Sequence, residues 1–419
     1  MAEFIPQESC ADIHEPNSLT VSQAQQKIID LITPITAWEK CPLRDGLDRN
    51  LHLPIISSIQ VPAHNNSAMD GYAIQGGDIS GTQFSLKQIG TAFAGHPYEG
   101  KVNSGECIRI MTGAMMPDDC DTVIMQEHVE INDKTITIHG VQIQGQHARL
   151  AGEDIQTGDV LLKEGHQVTP ADLGLIASLG FSEVTVKRKI RVAFFSTGDE
   201  LRSVGQILEA GQIYDSNRYT LYGMLKRLGI EPIDMGVITD NKDHLRTALQ
   251  LASEQADVVI TSGGVSVGDA DYVKEMLEEL GQVNFWKIAM KPGRPLAFGK
   301  INNALFFGLP GNPVSVMVTF YQFVTPALKL LAGNIATRNN TIQLNCVSPI
   351  RKRPGRFEFQ RGVVFTNAAG QTEVKTTGEQ GSGILRSMST ANCFILLDEN
   401  CDGLEPNSTV TVQPFSGLI

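Results

Sequence analysis

Predicted strands and helices alternate in the central third of the chain, and this alternation constrains the fold more than any other feature. Between residues 190 and 333, short runs rich in Val, Ile and Phe each precede a longer run with apolar residues at helical spacing. The predicted strands cover 190–195, 233–238, 258–260 and 304–307, and the predicted helices cover 217–228, 242–255, 272–280 and 313–331. Repeated βαβ units predict a mostly parallel, doubly wound sheet with helices on both faces.

The segments on either side of this region are predicted to be mostly β-structure. Thr20 and Gln23 form a capping-box pattern before an apolar helical run that Pro34 ends, and a second helix is predicted at 170–179. Predicted strands cover 72–74, 84–89, 107–111, 122–127, 135–138, 393–397 and 409–412, with a hairpin turn at Ala369-Gly370. The expected fold class is α/β multidomain, with a central doubly wound domain and flanking mostly-β domains.

The charge balance excludes general nucleic-acid binding. Lys and Arg number 34 against 46 Asp and Glu, which gives a net charge of −12, whereas nucleic-acid binding depends on clustered cations. Any anion site in this chain must therefore be built locally, from a few cations, backbone amides or metal ions.

Cysteine usage and the N-terminal sequence predict a cytoplasmic protein. The 7 cysteines form no C-x-x-C pair, which favours reduced structural thiols over a disulfide framework or a zinc site. The polar first 17 residues lack the apolar segment of a signal peptide. The longest apolar stretch, 314–331, is interrupted by Gln322, Pro326 and Lys329, so it is predicted to be a buried helix.

A glycine-rich loop joins the predicted strand 258–260 to the predicted helix 272–280. Its small residues allow a phosphate to approach the backbone closely, and they are Ser262, Gly263, Gly264, Ser266 and Gly268. Asp269 and Asp271 beside the loop would repel a phosphate unless a divalent cation bridged them. The pattern predicts a phosphorylated ligand with Mg²⁺; the alternative is a tight structural turn. The loop matches neither the Walker A nor the G-x-G-x-x-G motif.

Three other loops follow strands of the same predicted sheet. They cover 196–200, 239–241 and 308–313, and they contribute Glu200, Asp240, Pro310 and Pro313. Ligands bind in the crevice at the carboxyl ends of parallel strands, so Glu200, Asp240 and Asp271 are predicted to meet at one metal–phosphate site. The alternative for Asp240 is a helix cap before 242–255.

A basic segment supplies the positive charge that the chain otherwise lacks. Lys287, Lys291 and Arg294 lie close together, and prolines on both sides of Gly293-Arg294 stiffen the backbone. The alternative is an exposed basic loop. In the β-rich part, Asp70 and the sequence Arg149 to Asp154 could form a site or an ordinary turn with a surface ion pair, and spacing leaves both possibilities open.

Taken together, nine segments resemble the molybdopterin molybdenumtransferase (MoeA) family. They run in family order over nearly the whole chain: NSAMDGYA, IRIMTGA, GEDI, FSTGDEL, GQIYDSNR, TSGGVSVGDADY, FWKIAMKPGRP, GLPGNPVS and FEFQRG. The resemblance implies an elongated homodimer of four-domain subunits. The implied domains are 18–57 plus 152–189, then 58–151, then the molybdopterin-binding type α/β domain 190–337, and finally a barrel-like domain 338–419.

The resemblance also implies the reaction: Mg²⁺-dependent insertion of molybdate into adenylylated molybdopterin, with release of AMP. A transient partner that adenylylates molybdopterin is implied as well. Glu200, Asp240 and Asp271 match the family's acidic residues in the α/β domain, and Lys287 and Lys291 match its basic loop. The residues that match those facing this site from the second subunit are Asp70, Thr112, Arg149 and Asp154. Lys291, Arg294, Arg356 and Arg361 are candidate partners of molybdate.

Two other functions remain as alternatives. A molybdopterin adenylyltransferase shares the TSGG loop but has a single α/β domain, and turnover of ATP with molybdopterin alone would favour it. A non-catalytic scaffold is the other, since an animal relative of this fold also clusters receptors; partner binding that survives loss of Asp240 and Asp271 would favour this role. Three positions depart from the family pattern: Asn65, Leu150 and Arg294.

Overall fold

The computed structural model describes residues 18–264, 276–277, 279–334 and 340–419. The chain forms two compact units, which we call the large unit and the small unit. Within the described residues, the large unit comprises 18–39, Asp48–Asn50 and Val186–Ile419, and the small unit comprises Lys40–Leu47 and Leu51–Thr185. The finer division into four domains stays a prediction.

The helices and strands follow the predicted order. The described α-helices are α1 (Val21–Asp30), α2 (Pro170–Ser178), α3 (Ser216–Arg227), α4 (Lys242–Gln255), α5 (Pro313–Thr319), α6 (Thr325–Leu331) and α7 (Leu385–Thr390). The strands are β1 (Trp38–Pro42), β2 (Ile55–Ile56), β3 (Asn66–Ser67), β4 (Gly71–Ile74), β5 (Gln83–Ala92), β6 (Glu106–Ile110), β7 (Thr122–Met125), β8 (Val129–Asn132), β9 (Thr135–His139), β10 (Ala148–Arg149), β11 (Val160–Leu162), β12 (Glu183–Lys187), β13 (Arg191–Thr197), β14 (Leu201–Arg202), β15 (Ile213–Tyr214), β16 (Glu231–Ile238), β17 (Val258–Ser262), β18 (Gly281–Lys287), β19 (Met290–Lys291), β20 (Pro295–Ile301), β21 (Ala304–Leu309), β22 (Ile342–Cys346), β23 (Phe357–Thr366), β24 (Thr372–Thr376), β25 (Cys393–Leu397) and β26 (Ser408–Pro414).

The central sheet of the large unit has the strand order β16-β13-β17-β21-β20-β18. The first four strands are parallel and correspond to the four predicted strands, which are confirmed. Strands β20 and β18 pair antiparallel at the other edge, and they were not predicted as strands. The predicted helix at 272–280 lies mostly outside the described residues, although Met276, Leu277, Glu279 and Leu280 are helical.

Alternate residues of each central strand pack against opposite faces of this sheet. Phe194 of β13 belongs to a buried cluster with Leu221 and Leu225 of α3, whereas its neighbour Phe195 packs with Leu249 of α4. Because successive side chains of a strand point to opposite faces, a fully apolar strand requires helices on both sides. The predicted doubly wound architecture is confirmed.

The end of the chain forms a second β-structure within the large unit. Strands β23, β24, β22, β26 and β25 follow one another, and β25 pairs again with β23, which closes a barrel. The predicted turn at Ala369-Gly370 joins β23 to β24, and Gly370 has a φ of +79°. Strand β19 pairs in parallel with β23, with Lys291 opposite Glu358, so the basic segment is attached to the barrel.

The small unit contains the six-stranded sheet β7-β4-β6-β5-β9-β8. All five strands predicted here are confirmed, and the exposed strand β8 was missed.

In the large unit, the capping box of α1 is confirmed, because the Thr20 hydroxyl accepts from the Gln23 N–H at 3.2 Å and the Gln23 side chain accepts from the Thr20 N–H.

The longest apolar helical run and the described thiols behave as the sequence predicts. Pro313–Leu331 is long and apolar enough to cross a membrane, but 83% of its most apolar window is buried inside the protein. A π-helical turn, Phe320–Val324, joins its two α-helical parts. Within the described residues six cysteines carry free thiols, and burial raises the pKa of three of them, Cys107, Cys120 and Cys393, to about 12.

Candidate functional site

The loops that follow β13, β16, β17 and β21 line one cavity in the large unit. This cavity has a volume of about 820 Å³ and is also lined by the basic segment and by two parts of the C-terminal barrel. The predicted convergence of these loops at the carboxyl edge of the sheet is therefore present in the structure. Among the predicted site residues, Glu200, Asp240, Ser262, Gly263, Gly264, Lys291, Arg294, Pro310 and Pro313 line the cavity.

The carboxylates of Glu200 and Asp240 form the acidic side of the cavity. The pKa of Asp240 is raised, first by partial burial and then by the negative charges of Asp199 and Glu200. The Asp240 N–H also donates to Asp199 Oδ1 at 3.3 Å, which joins the loops after β13 and β16. Carboxylates that repel one another gain from a bound cation.

Asp240 does not cap helix α4, so the alternative interpretation of this residue is wrong. The cap is its neighbour Asn241, whose Oδ1 accepts from the N–H groups of Asp243 at 2.9 Å and His244 at 3.2 Å. Asn241 satisfies these N–H groups at the start of the helix. The Asp240 carboxylate is thereby left to the cavity that it lines.

The third predicted metal ligand, Asp271, lies outside the described residues, as do Ser266, Gly268 and Asp269. Within the described ranges, no three His, Cys, Asp or Glu side chains are close enough to hold a metal ion. Glu200 and Asp240 supply the oxygen ligands that Mg²⁺ prefers, and Mg²⁺ is usually bound through only one or two carboxylates plus water and phosphate. The chemistry of these donors therefore fits Mg²⁺.

The glycine-rich loop begins at the end of β17 and passes close to β13. Gly263 has a φ of +92°, and a Cβ at this position would lie 2.6 Å from the Thr197 carbonyl oxygen. The Gly263 N–H donates to the Leu309 carbonyl at 3.1 Å, which fixes the loop to the end of β21. A side chain at position 263 would displace the cavity wall, so glycine is required here.

The basic side of the cavity contains two of the three predicted cations. Lys291 and Arg294 line it together with Arg356 of the barrel, whereas Lys287 is not among the lining residues. Lys287 lies in β18, paired opposite Pro295, and its place in one cluster with Lys291 and Arg294 stays a prediction. The Lys291 ammonium lies 3.6 Å from the buried Glu358 carboxylate.

Arg361 has a structural role rather than the predicted contact with molybdate. The side chain is buried, with Nε donating to Ser387 Oγ and Nη2 donating to the Gly381 carbonyl, both at 3.1 Å. Burial lowers its pKa to about 10. Gly381 lines the cavity, so Arg361 supports the cavity wall from behind.

Asn217 is a cavity residue that sequence reasoning missed. Its Nδ2 donates to Ser262 Oγ at 2.8 Å and to the Gly311 carbonyl at 2.7 Å. Asn217 therefore links the loop after β17 to the loop after β21. Asn217 belongs to the segment GQIYDSNR, which precedes and enters α3, but the sequence pattern alone indicates no role for its side chain.

The predicted site residues of the small unit also gather, on three neighbouring segments. Asp70 accepts hydrogen bonds from the Thr112 N–H and hydroxyl, both at 2.7 Å, and these bonds lower its pKa. Arg149 in β10 pairs with Asn66 in β3, and the Asp154 N–H donates to the Val61 carbonyl at 3.1 Å. Arg149 and Asp154 form no ion pair within the described ranges, and Glu153 accepts from the Leu150 N–H at 2.9 Å to close the turn, so the alternative of an ordinary turn stays open.

Of the three positions that depart from the family pattern, Asn65 has a structural role. Its Oδ1 accepts from the Ala151 N–H at 2.8 Å and so holds the turn after β10. Leu150 in that turn is exposed, and Arg294 keeps a positive charge on the cavity lining.

Three family profiles cover most of the chain. They are the MoeA N-terminal region (domain I and II) over residues 19–180, the probable molybdopterin binding domain over 193–330, and the MoeA C-terminal region (domain IV) over 343–415. The chain is 45% identical to a molybdopterin molybdenumtransferase from Haemophilus influenzae, covering 96% of this chain and 100% of the relative. It is 32% identical to a molybdopterin molybdenumtransferase from Staphylococcus aureus, covering 96% of both chains. Among solved structures, a molybdopterin biosynthesis moeA protein from Pyrococcus horikoshii superimposes with a TM-score of 0.83 at 28% identity, covering 95% of this chain and all of that one.

Proposed function

Because the chain belongs to the MoeA family, we propose that it is a molybdopterin molybdenumtransferase, an enzyme of molybdenum cofactor biosynthesis. The reaction inserts molybdate into adenylylated molybdopterin and releases AMP. The observation that carries the proposal is the single cavity in which a glycine-rich loop, two carboxylates and three cations meet.

The two sides of this cavity suit the two parts of the reaction. Cleaving a phosphoanhydride depends mainly on positioning and on neutralising the charge of the phosphate oxygens. Glu200 and Asp240, with Asp271, would hold Mg²⁺, which supplies that neutralisation when bound. The glycine-rich loop beside them allows the phosphates to approach the backbone. The substrate diphosphate is therefore assigned to this side.

Molybdate is assigned to the opposite, basic side. It is a tetrahedral dianion, and the guanidinium groups of Arg294 and Arg356 offer several N–H donors each, while Lys291 adds a point charge. Gly293 and Pro292 hold this segment against the cavity, and both are buried. These side chains bind and orient the oxyanion beside the phosphate that leaves.

The active site is proposed to be composite, with Asp70, Thr112, Arg149 and Asp154 contributed by the second subunit of a homodimer. Two observations support this part: these residues gather on adjoining segments of the small unit, and the family resemblance assigns them to the site. The adenylylated substrate must come from an adenylyltransferase, which is the proposed transient partner. A cytoplasmic location stays a prediction.

The decisive test is molybdate-dependent AMP release from adenylylated molybdopterin in the presence of Mg²⁺. Loss of one metal-binding carboxylate removes several kcal/mol of charge stabilisation, so Asp240→Asn and Glu200→Gln should each lower the rate about 100-fold or more. The matched control is Asp243→Asn, since Asp243 lies one turn away on α4 and pairs with Arg246.

Each possible outcome separates the candidate functions. AMP release that does not depend on molybdate, or that both cavity substitutions leave unchanged, would contradict the proposal. Consumption of ATP with molybdopterin alone would instead identify an adenylyltransferase.

A further inference from the structure

The hydrogen bonds of Asn217 have a direction that the geometry fixes. The Gly311 carbonyl can only accept, so the group 2.7 Å from it must be the amide nitrogen Nδ2 of Asn217. The same Nδ2 lies 2.8 Å from Ser262 Oγ. Ser262 Oγ therefore accepts the second N–H of Asn217.

The direction of this hydrogen bond determines whether the Ser262 hydroxyl can itself act as a donor. A hydroxyl that accepts one hydrogen bond still has its own proton to donate. Ser262 is buried to 2% exposure and lines the cavity, and within the described residues its side chain accepts from Asn217 without donating to another protein group. The hydroxyl is thereby a donor available to the cavity, next to Gly263 and Gly264.

We propose that Asn217 is a positioning residue that holds the Ser262 hydroxyl as a hydrogen-bond donor to an anionic oxygen of the substrate diphosphate. The inference rests on the proposed function and deepens it by naming a phosphate contact and the residue that orients it. Hydrogen bonds to charged groups are stronger than neutral ones, so the contact contributes to affinity for the phosphate rather than for the nucleoside.

A merely structural role for Asn217 makes a different prediction. The residue also joins two loops through Gly311, and breaking that link could loosen the cavity whatever residue stands at 262. In that case substitutions at 217 and 262 would act independently, and their effects would add. If Asn217 acts through Ser262, its substitution costs affinity only while the hydroxyl is present.

A double-mutant cycle on ligand binding separates these roles. The probe is ADP with Mg²⁺, which carries the adenosine diphosphate half of the proposed substrate, and adenosine without phosphate is the control ligand. Calorimetry on the full-length protein gives the affinities for wild type, Asn217→Ala, Ser262→Ala and the double variant. Thermal unfolding confirms that each variant is folded, and Asn217→Leu, which has a similar shape but no amide donor, is the alternative should Asn217→Ala unfold.

We expect each single substitution to weaken ADP binding about 10-fold, as for loss of a hydrogen bond to a charged group. In the Ser262→Ala protein, Asn217→Ala should cost no further affinity beyond about twofold, and adenosine binding should stay unchanged throughout. Additive losses, an equal loss of adenosine binding, or no ADP binding by wild type would overturn the inference.

The double-mutant cycle on ADP binding and the AMP-release assay test the two proposals independently, so either proposal can be contradicted while the other stands. Molybdate-dependent AMP release with additive effects on ADP binding would leave the proposed function standing and remove this role of Asn217. Coupled effects on ADP binding without molybdate-dependent release would support the phosphate contact and remove the proposed function.

Discussion

At the scale of single residues, Asp240 illustrates how a binding site costs stability. Its raised pKa means that the folded protein favours the protonated acid relative to the unfolded chain. Stability linked to this group is therefore lost as the pH rises through its folded pKa, because the ionised carboxylate is partly buried beside Asp199 and Glu200. The repulsion is tolerated where a bound cation can offset it.

We therefore expect Asp240→Asn to stabilise the protein while it lowers the rate of AMP release about 100-fold or more. Without divalent metal at neutral pH, the melting temperature should rise by about 1–3 °C, and the difference should vanish at a pH where Asp240 is protonated. Mg²⁺ should raise the melting temperature of wild type more than that of the variant. Differential scanning fluorimetry against pH checks this, and a variant that is less stable than wild type at neutral pH would contradict the assigned repulsion.

At the scale of elements, the basic segment between β19 and β20 is held against helix α5 by a close backbone approach. Gly293 has a φ of +96°, and a Cβ there would lie 2.6 Å from Thr319 Oγ1 of that helix. Gly293→Ala should therefore displace Lys291 and Arg294 and destabilise the fold by about 2 kcal/mol, from backbone strain and contact together.

The Thr319 hydroxyl offers a matched test of this packing. Its Oγ1 has no hydrogen-bond partner in the described structure, so Thr319→Ala removes the clashing atom without breaking a bond. Adding Thr319→Ala to Gly293→Ala should recover part of the lost stability in urea unfolding and part of the molybdate-dependent rate. No recovery would mean that backbone strain alone, rather than the contact with α5, limits this position.

The same elements show what sequence can and cannot predict. The four parallel strands were found because each is a buried apolar run, as in 258–260. Strands β18 and β20 were missed because Lys287, Pro292 and Pro295 dominate that stretch and mask its alternation. Asp240 and Asn241 are both good helix caps, so only the structure could decide between them. The link from Asn217 to Gly311 spans 94 residues, and no local pattern encodes a contact of that range.

At the scale of the whole molecule, the residues assigned to one reaction divide between the two compact units. Asp70 and Thr112 lie in the small unit, and Glu200 and Asp240 lie in the large unit. Their spacing along the chain could not tell whether one subunit or two complete a site. The family resemblance implies two, and in a symmetric dimer each site would then take its small unit from one subunit and its large unit from the other.

If the active sites are composite, two heterodimers that carry the same two substitutions in different arrangements should differ in activity. With Asp70→Asn on one subunit and Asp240→Asn on the other, one site receives both changes and the second site is intact, so about half of the wild-type activity should remain. With both substitutions on one subunit and a wild-type partner, each site receives one change and activity should be lost. Differently tagged subunits, co-expressed and purified through both tags, allow AMP release to be measured for each arrangement. The reverse result, with activity only when both substitutions share a subunit, would place each complete site within a single chain.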